Sequence, residues 1–429
     1  MGERVVEAAT CLGCGCACDD VELVLRGGRI VEARHACVLG AAWFGDGSAP
    51  ARARVSGRDV PLADALDTAA RLLTGAARPL VYLAPDISCE AQREGVALAD
   101  ALRATLDSVT SATALIFVLA AQEQGRAAAT LGEIRNRADV VVFWGVDPAS
   151  RYPRYPARYA PEPAGLHVPD GRRSRRVIAV DVGHSRGPAD ADVRITVNPD
   201  DEVAVLRLIA ERATGARGNT GPAGLGSEPL AVARARELAP ELLRGRYVAL
   251  VADAEPCTDG LRDSGRSAAL ITLAQALNAS TRCALSVLRG GGNRSGADAA
   301  MTSGTGYPVA VDFARGYPRY QPYDGTATAG LSRQDFDVVT IIGAPASMPA
   351  DLLPAMRHVP CAVLGPRASE SAFASAHVVI DSGTAGIHEG GTALRMDDVP
   401  LPLRAALEGP PGAADLVRAL RARLPPSTR

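Results

Sequence analysis

Apolar and polar residues alternate through DVELVLRGGRIVEA at 20–33, on both sides of Gly27 and Gly28. That is the signature of a β-hairpin turning on two glycines. From residue 62 the period lengthens to that of a helix in LADALDTAARLL, and the apolar run PLVYLA that follows suits a buried parallel strand. The succession continues with helices expected over 90–105 and 114–135 and strands over 139–145 (DVVVFWG) and 176–181 (RVIAVD). A parallel sheet is the economical arrangement for such an alternation.

The second half repeats the theme. Helical periods cover 200–213 and 228–244, separated by a Gly-rich linker at 214–227, and strands are expected at RYVALVA, CALSVL, DVVTIIG and CAVLG, near 246, 283, 337 and 361. Residues 375–403 read as short strands and turns. An irregular stretch at 149–175, rich in Arg, Tyr, Pro and Gly, is long enough to suggest a functional or interface loop rather than an idle one. The expected organisation is a Cys-rich module at 1–55, α/β domains at 56–215 and 228–375, and a C-terminal segment at 376–429 packing back on them.

Length and composition narrow the class. A chain of 429 residues with 47% hydrophobic and 22% charged residues can bury more than one core and is not disordered. All 46 basic residues are arginine, which removes Schiff-base lysines and a Walker lysine from consideration. A net charge of −2 carries no nucleic-acid footprint. The charged opening MGERVVEAAT and the lack of a long apolar run argue against export and membrane insertion, so the expected compartment is the cytoplasm.

The candidate chemistry is concentrated in cysteine. Cys11, Cys14, Cys18 and Cys37 follow C-x2-C-x3-C-x18-C, so three thiolates on one tight loop and a fourth from a later segment can surround iron-sulfur or zinc. Cys16 lies among them and could replace one, and packed thiols without a metal are the bland alternative. Asp19 and Asp20 are read as turn-capping groups, since carboxylates are poor cluster ligands. The six histidines, His35, His167, His184, His358, His377 and His388, form no H-x-H or H-E-x-x-H pair for a catalytic zinc.

CLGCGCACDD at 11–20 and HACVLGAAWF at 35–44 resemble the opening of the B subunit of the formylmethanofuran dehydrogenases. SCEAQ at 88–92, TLGEIRNRADVVVFWGVDP at 130–148, LRGGGNRSGAD at 288–298, TGYPVAVDFARGYPRYQP at 305–322 and EGGTALRMDDVP at 389–400 resemble it in the same order. The resemblance implies an α/β, molybdopterin-oxidoreductase-like fold (domains I to III), with a small N-terminal Cys-rich β module and two α/β domains with largely parallel sheets. It also implies a cluster held by Cys11, Cys14, Cys18 and Cys37.

This chain departs from the family's pattern at the metal. Where members carry a Cys or selenocysteine followed by His, an ungapped count from Asp107 or back from Thr130 gives Thr113 and Ala114. The family's active-site Arg corresponds to Arg289, but the His after its Arg-Gly is Gly291, and Tyr152, Tyr155 and Tyr159 replace a His-containing segment. Arg151, Arg154 and Arg158 could meet pterin phosphates, although the Arg and Tyr content also fits a protein interface.

The expectation is a catalytically silent member like that of the bacterial formyltransferase/hydrolase complex, with hydrolase, transferase and small subunits as partners. No tungsten or molybdenum pterin is expected, and the cysteines are assigned a 4Fe-4S cluster, with zinc or an empty loop as alternatives. A working tungsten or molybdenum enzyme and an iron-sulfur electron-transfer subunit are the competing readings.

Overall fold

The computed structural model describes residues 2–215, 229–253 and 265–425. Most of the linker expected at 214–227 lies outside them. The chain divides into two compact units, one formed by Met1–Leu115 with Gly290–Arg429 and the other by Ile116–Arg289. This differs from the sequential ranges 56–215 and 228–375. Strand pairing is the reason, since Pro79–Leu83 lies beside Val338–Ile342, far along the chain, whereas Val140–Trp144 lies beside Tyr247–Asp253.

The first unit is built on a nine-stranded sheet. Its centre is parallel, in the order Thr105–Ser108, Pro79–Leu83, Val338–Ile342, Cys361–Pro366 and Val378–Ser382, and short antiparallel strands finish both edges. Such strands are covered on both faces, which explains their unbroken apolar runs. On one face Val81, Leu83 and Ile342 pack with Leu66, Leu98 and Leu416, residues of helices Leu62–Thr74, Cys89–Leu102 and Ala413–Arg421. On the other, Tyr82, Ile341 and Val363 pack with Leu331, Leu352 and Phe373.

Local chemistry sets the element ends. Ser88 caps Cys89–Leu102 by accepting from the Ala91 amide at 3.1 Å. The helix expected to run to 105 stops because Arg103 turns left-handed, which frees Thr105–Ser108 to pair with Pro79–Leu83. The helix expected over 114–135 is two, Leu115–Gln124 and Leu131–Arg137, with Gly125 at φ +72° after the first and Thr130 capping the second. Periodicity could not register that break, because the intervening alanines suit a helix.

The N-terminal module is an antiparallel sheet of Arg4–Ala9, Val21–Arg26 and Arg29–Arg34, closed by the expected turn at Gly27 (φ +59°) and Gly28 (φ +75°). Leu12 and Ala17 from the cysteine loop share a core with Ala393, Leu401 and Leu403 of the C-terminal hairpin Gly391–Leu394/Pro400–Leu403. The C-terminal segment therefore belongs to the same unit as the cysteines.

The second unit is a wholly parallel five-stranded sheet in the order Val193–Val197, Arg176–Val182, Val140–Trp144, Tyr247–Asp253 and Arg282–Leu288. Its interior holds an ion pair, Arg266 Nε to Glu202 Oε1 at 2.8 Å, and the Trp144 indole donates to the same oxygen at 2.8 Å. No helix among the described residues is long and apolar enough to cross a membrane.

Candidate functional site

The cysteine loop is wound tightly by its own backbone. The Cys11 amide donates to the Cys18 carbonyl at 2.8 Å and the Ala17 amide to the Cys14 carbonyl at 3.1 Å. Gly13 is required here, since a Cβ on it would stand 2.7 Å from the Leu39 carbonyl oxygen; its amide instead donates to Cys11 Sγ at 3.3 Å. Cys37 is the residue before helix Val38–Phe44.

Burial above all, with like charge from the sulfurs of Cys14, Cys18 and Cys37 and against the Gly13 amide hydrogen bond, raises the Cys11 thiol to about 12. The four expected ligands are thus electrostatic neighbours, and Cys16 is buried beside them in the same loop. Thiols held this high bind a soft cation only by giving up their protons, and the cation's charge would then relieve the repulsion among the thiolates. Among the described residues, however, no three His, Cys, Asp or Glu side chains stand in position to hold a metal ion. The donors fit an iron-sulfur cluster or zinc in kind, and they are not gathered into a finished coordination shell.

The segment after Arg289 lies against this loop. Gly292 donates its amide to the Leu12 carbonyl at 2.8 Å, and a Cβ on Gly291 would meet the Gly13 carbonyl oxygen at 2.8 Å. Thr113 ends the short helix Val109–Thr113, where its hydroxyl donates to the Val109 carbonyl at 2.9 Å, and Ala114 follows, buried. Arg294 joins Gly291 to Thr113: its Nε donates to the Gly291 carbonyl at 3.1 Å and its Nη1 to the Thr113 hydroxyl at 3.4 Å. Arg289 ends the other unit.

Sequence reasoning singled out Arg289 and missed Arg294 and Asn293. Asn293 is fully buried; its amide donates to Ile87 O at 3.0 Å and its side-chain oxygen accepts from the Leu394 amide at 2.7 Å. The NR pair directly after three glycines was the available signal, but only the fold shows what it reaches.

The tyrosines of the 149–175 stretch are buried, not displayed for a partner as that stretch's composition suggested: Tyr152, Tyr155 and Tyr159 are 1%, 0% and 4% exposed. Tyr155 packs edge-on against Phe143 and Tyr159. Arg151 pairs with Asp253, and Arg158 lies over the Tyr159 ring at 5.4 Å. A tyrosine-rich loop reads the same in sequence whether its rings face in or out.

No family profile matches the chain. Over 95% of its length, and 95% of the relative's, it is 32% identical to the B subunit of tungsten-containing formylmethanofuran dehydrogenase 2 of Methanocaldococcus jannaschii. The chain belongs to the family of formylmethanofuran dehydrogenase B subunits. The corresponding protein of Methanococcus maripaludis is 31% identical, again over 95% of each chain. Among solved structures, a chain of the formyltransferase/hydrolase complex from Methylorubrum extorquens, determined with methylofuran, shares the fold of this family member with a TM-score of 0.71 at 23% identity. That likeness covers 86% of this chain and 98% of the other.

Proposed function

We propose that this chain is a non-redox structural subunit of a formyltransferase/hydrolase complex in tetrahydromethanopterin-linked one-carbon metabolism. Other subunits would move the formyl group between tetrahydromethanopterin and a methanofuran-type carrier and release formate. The observation that carries the reading is the group of residues at the family's metal position. A thiolate or selenolate is a soft ligand for tungsten or molybdenum, whereas the Thr113 hydroxyl is hard, un-ionised and already bonded to the Val109 carbonyl. Ala114 has no proton to exchange, and Gly291 stands against the cysteine loop where an imidazole would have no room.

A scaffold has physical value of its own. Two sites held at fixed separation present a tethered carrier to one another at roughly millimolar effective concentration. The fold shared over nearly the whole of a chain of the Methylorubrum complex supports partner subunits of that kind. Cys11, Cys14, Cys18 and Cys37 would hold a 4Fe-4S cluster, or zinc, tying the loop to the Cys37 segment; a loop without metal is the remaining alternative.

The second reading is a working tungsten or molybdenum enzyme, and the two Methanocaldococcus and Methanococcus relatives favour it, since both are named as tungsten-containing. Two measurements separate the readings. Elemental and cofactor analysis of the purified complex should find neither metal with pterin; one per chain would overturn the proposal. Expressing the partner subunits with and without this chain should show that its absence disperses them, and full assembly with unchanged coupled turnover would refute the scaffold.

A further inference from the structure

Away from the cysteine loop, the first unit has a second concentration of polar chemistry. Arg357 ends the helix Leu352–Arg357 and His358 follows it; shortly afterwards Cys361 opens the strand Cys361–Pro366. Ser375 and His377 lead into the neighbouring strand Val378–Ser382, and the parallel register of Ala362 with Val378 brings the two strand entrances side by side. Between them lies a cavity of about 430 Å³ lined by Arg357, His358, Ser375 and His377, with Cys361 and Phe373 among the other walls.

Two properties set this cavity apart. None of its lining residues is acidic. The side chains of Arg357, His358, Ser375 and His377 are exposed and have no hydrogen bond or ion pair among the described residues, so they are open to a ligand from solvent. Burial pushes the Cys361 thiol up, so it adds no negative charge. Two of the chain's six histidines, one arginine and one hydroxyl therefore line the cavity with no acidic residue among its walls.

We propose that this cavity binds a small phosphate-bearing ligand. A guanidinium fork, two imidazoles and a hydroxyl suit the three terminal oxygens of a phosphate group, and charge-assisted bonds of this kind are the strong ones. The volume exceeds that of a bare anion, and Pro360, Ala372 and Ala376 offer an apolar wall to the rest of the ligand.

Inorganic phosphate is the probe. The full chain, carrying 13C-labelled histidine, is titrated with phosphate at constant ionic strength and followed by NMR, the two resonances being assigned with His358→Gln and His377→Gln. The expected result is saturable movement of His358 and His377 alone, with affinity at least tenfold weaker in Arg357→Ala and with acetate in place of phosphate. Equal, unsaturating shifts of all six histidines, unchanged affinity in Arg357→Ala, or acetate binding as tightly as phosphate would each overturn the proposal. These side chains lie at the surface, so the variants keep the core intact.

Discussion

A Cβ on Gly291 would stand 2.8 Å from the carbonyl oxygen of Gly13 and 3.3 Å from the Cα of Cys14, so the cysteine loop and the segment after Arg289 touch backbone to backbone. Gly291→Ala should therefore lower stability by about 1–3 kcal/mol through overpacking. Gly291→His should cost more, because the loop itself must move. Urea unfolding of both variants measures this, and a neutral Gly291→His would show that the contact does not constrain the loop.

Restoring one ligand should not restore the family's redox chemistry. Thr113→Cys leaves Ala114 without an imidazole and Gly291 without room for one, so viologen-linked formate oxidation is expected to stay at the level of a metal-free control. Activity above that level would sink the non-redox reading.

The cysteines should matter for assembly more than for turnover. Replacing Cys11 and Cys14 by Ser should reduce the yield of folded, assembled complex while leaving the rate per assembled complex close to normal. Metal bound by thiolates contributes directly to folding, on the order of 10 kcal/mol in small zinc domains. A complex that assembled fully but lost all activity would place the loop in the chemistry.

Asp107 gives the stability a pH signature. It is buried and accepts from the amides of Ser108 and Ala310 and from the Ser111 hydroxyl at 2.9, 3.2 and 2.6 Å. Burial outweighs these bonds and raises it from 3.8 to about 6. The native state therefore takes up the proton first: the stabilisation is fully present below the ordinary carboxylate value and is lost as pH rises through about 6. The difference in stability between wild type and Asp107→Asn should shift toward wild type by on the order of 2–3 kcal/mol between about pH 7.5 and about pH 4. A difference constant with pH would contradict the assignment.

In the second unit, Glu202 serves both Arg266 and Trp144. Glu202→Ala should cost about 3–5 kcal/mol, because it strands a buried guanidinium. Thermal unfolding of the variant checks it, and a change below about 1 kcal/mol would mean that water reaches Arg266.

The sequence by itself determined the elements with strong period or strong punctuation. The Gly27–Gly28 hairpin and the apolar parallel strands were legible, because alternation and burial on both faces are written locally. Only the tertiary structure decided which strands share a sheet, because parallel pairing joins Pro79–Leu83 to Val338–Ile342 across a whole intervening stretch of chain that no local pattern marks. It alone decided that Tyr155 faces inward, and that Arg294, not distinguished by type or spacing, is the arginine reaching Thr113. A side chain's chemistry is fixed by its residue type, but its partners are fixed by where long-range packing puts it.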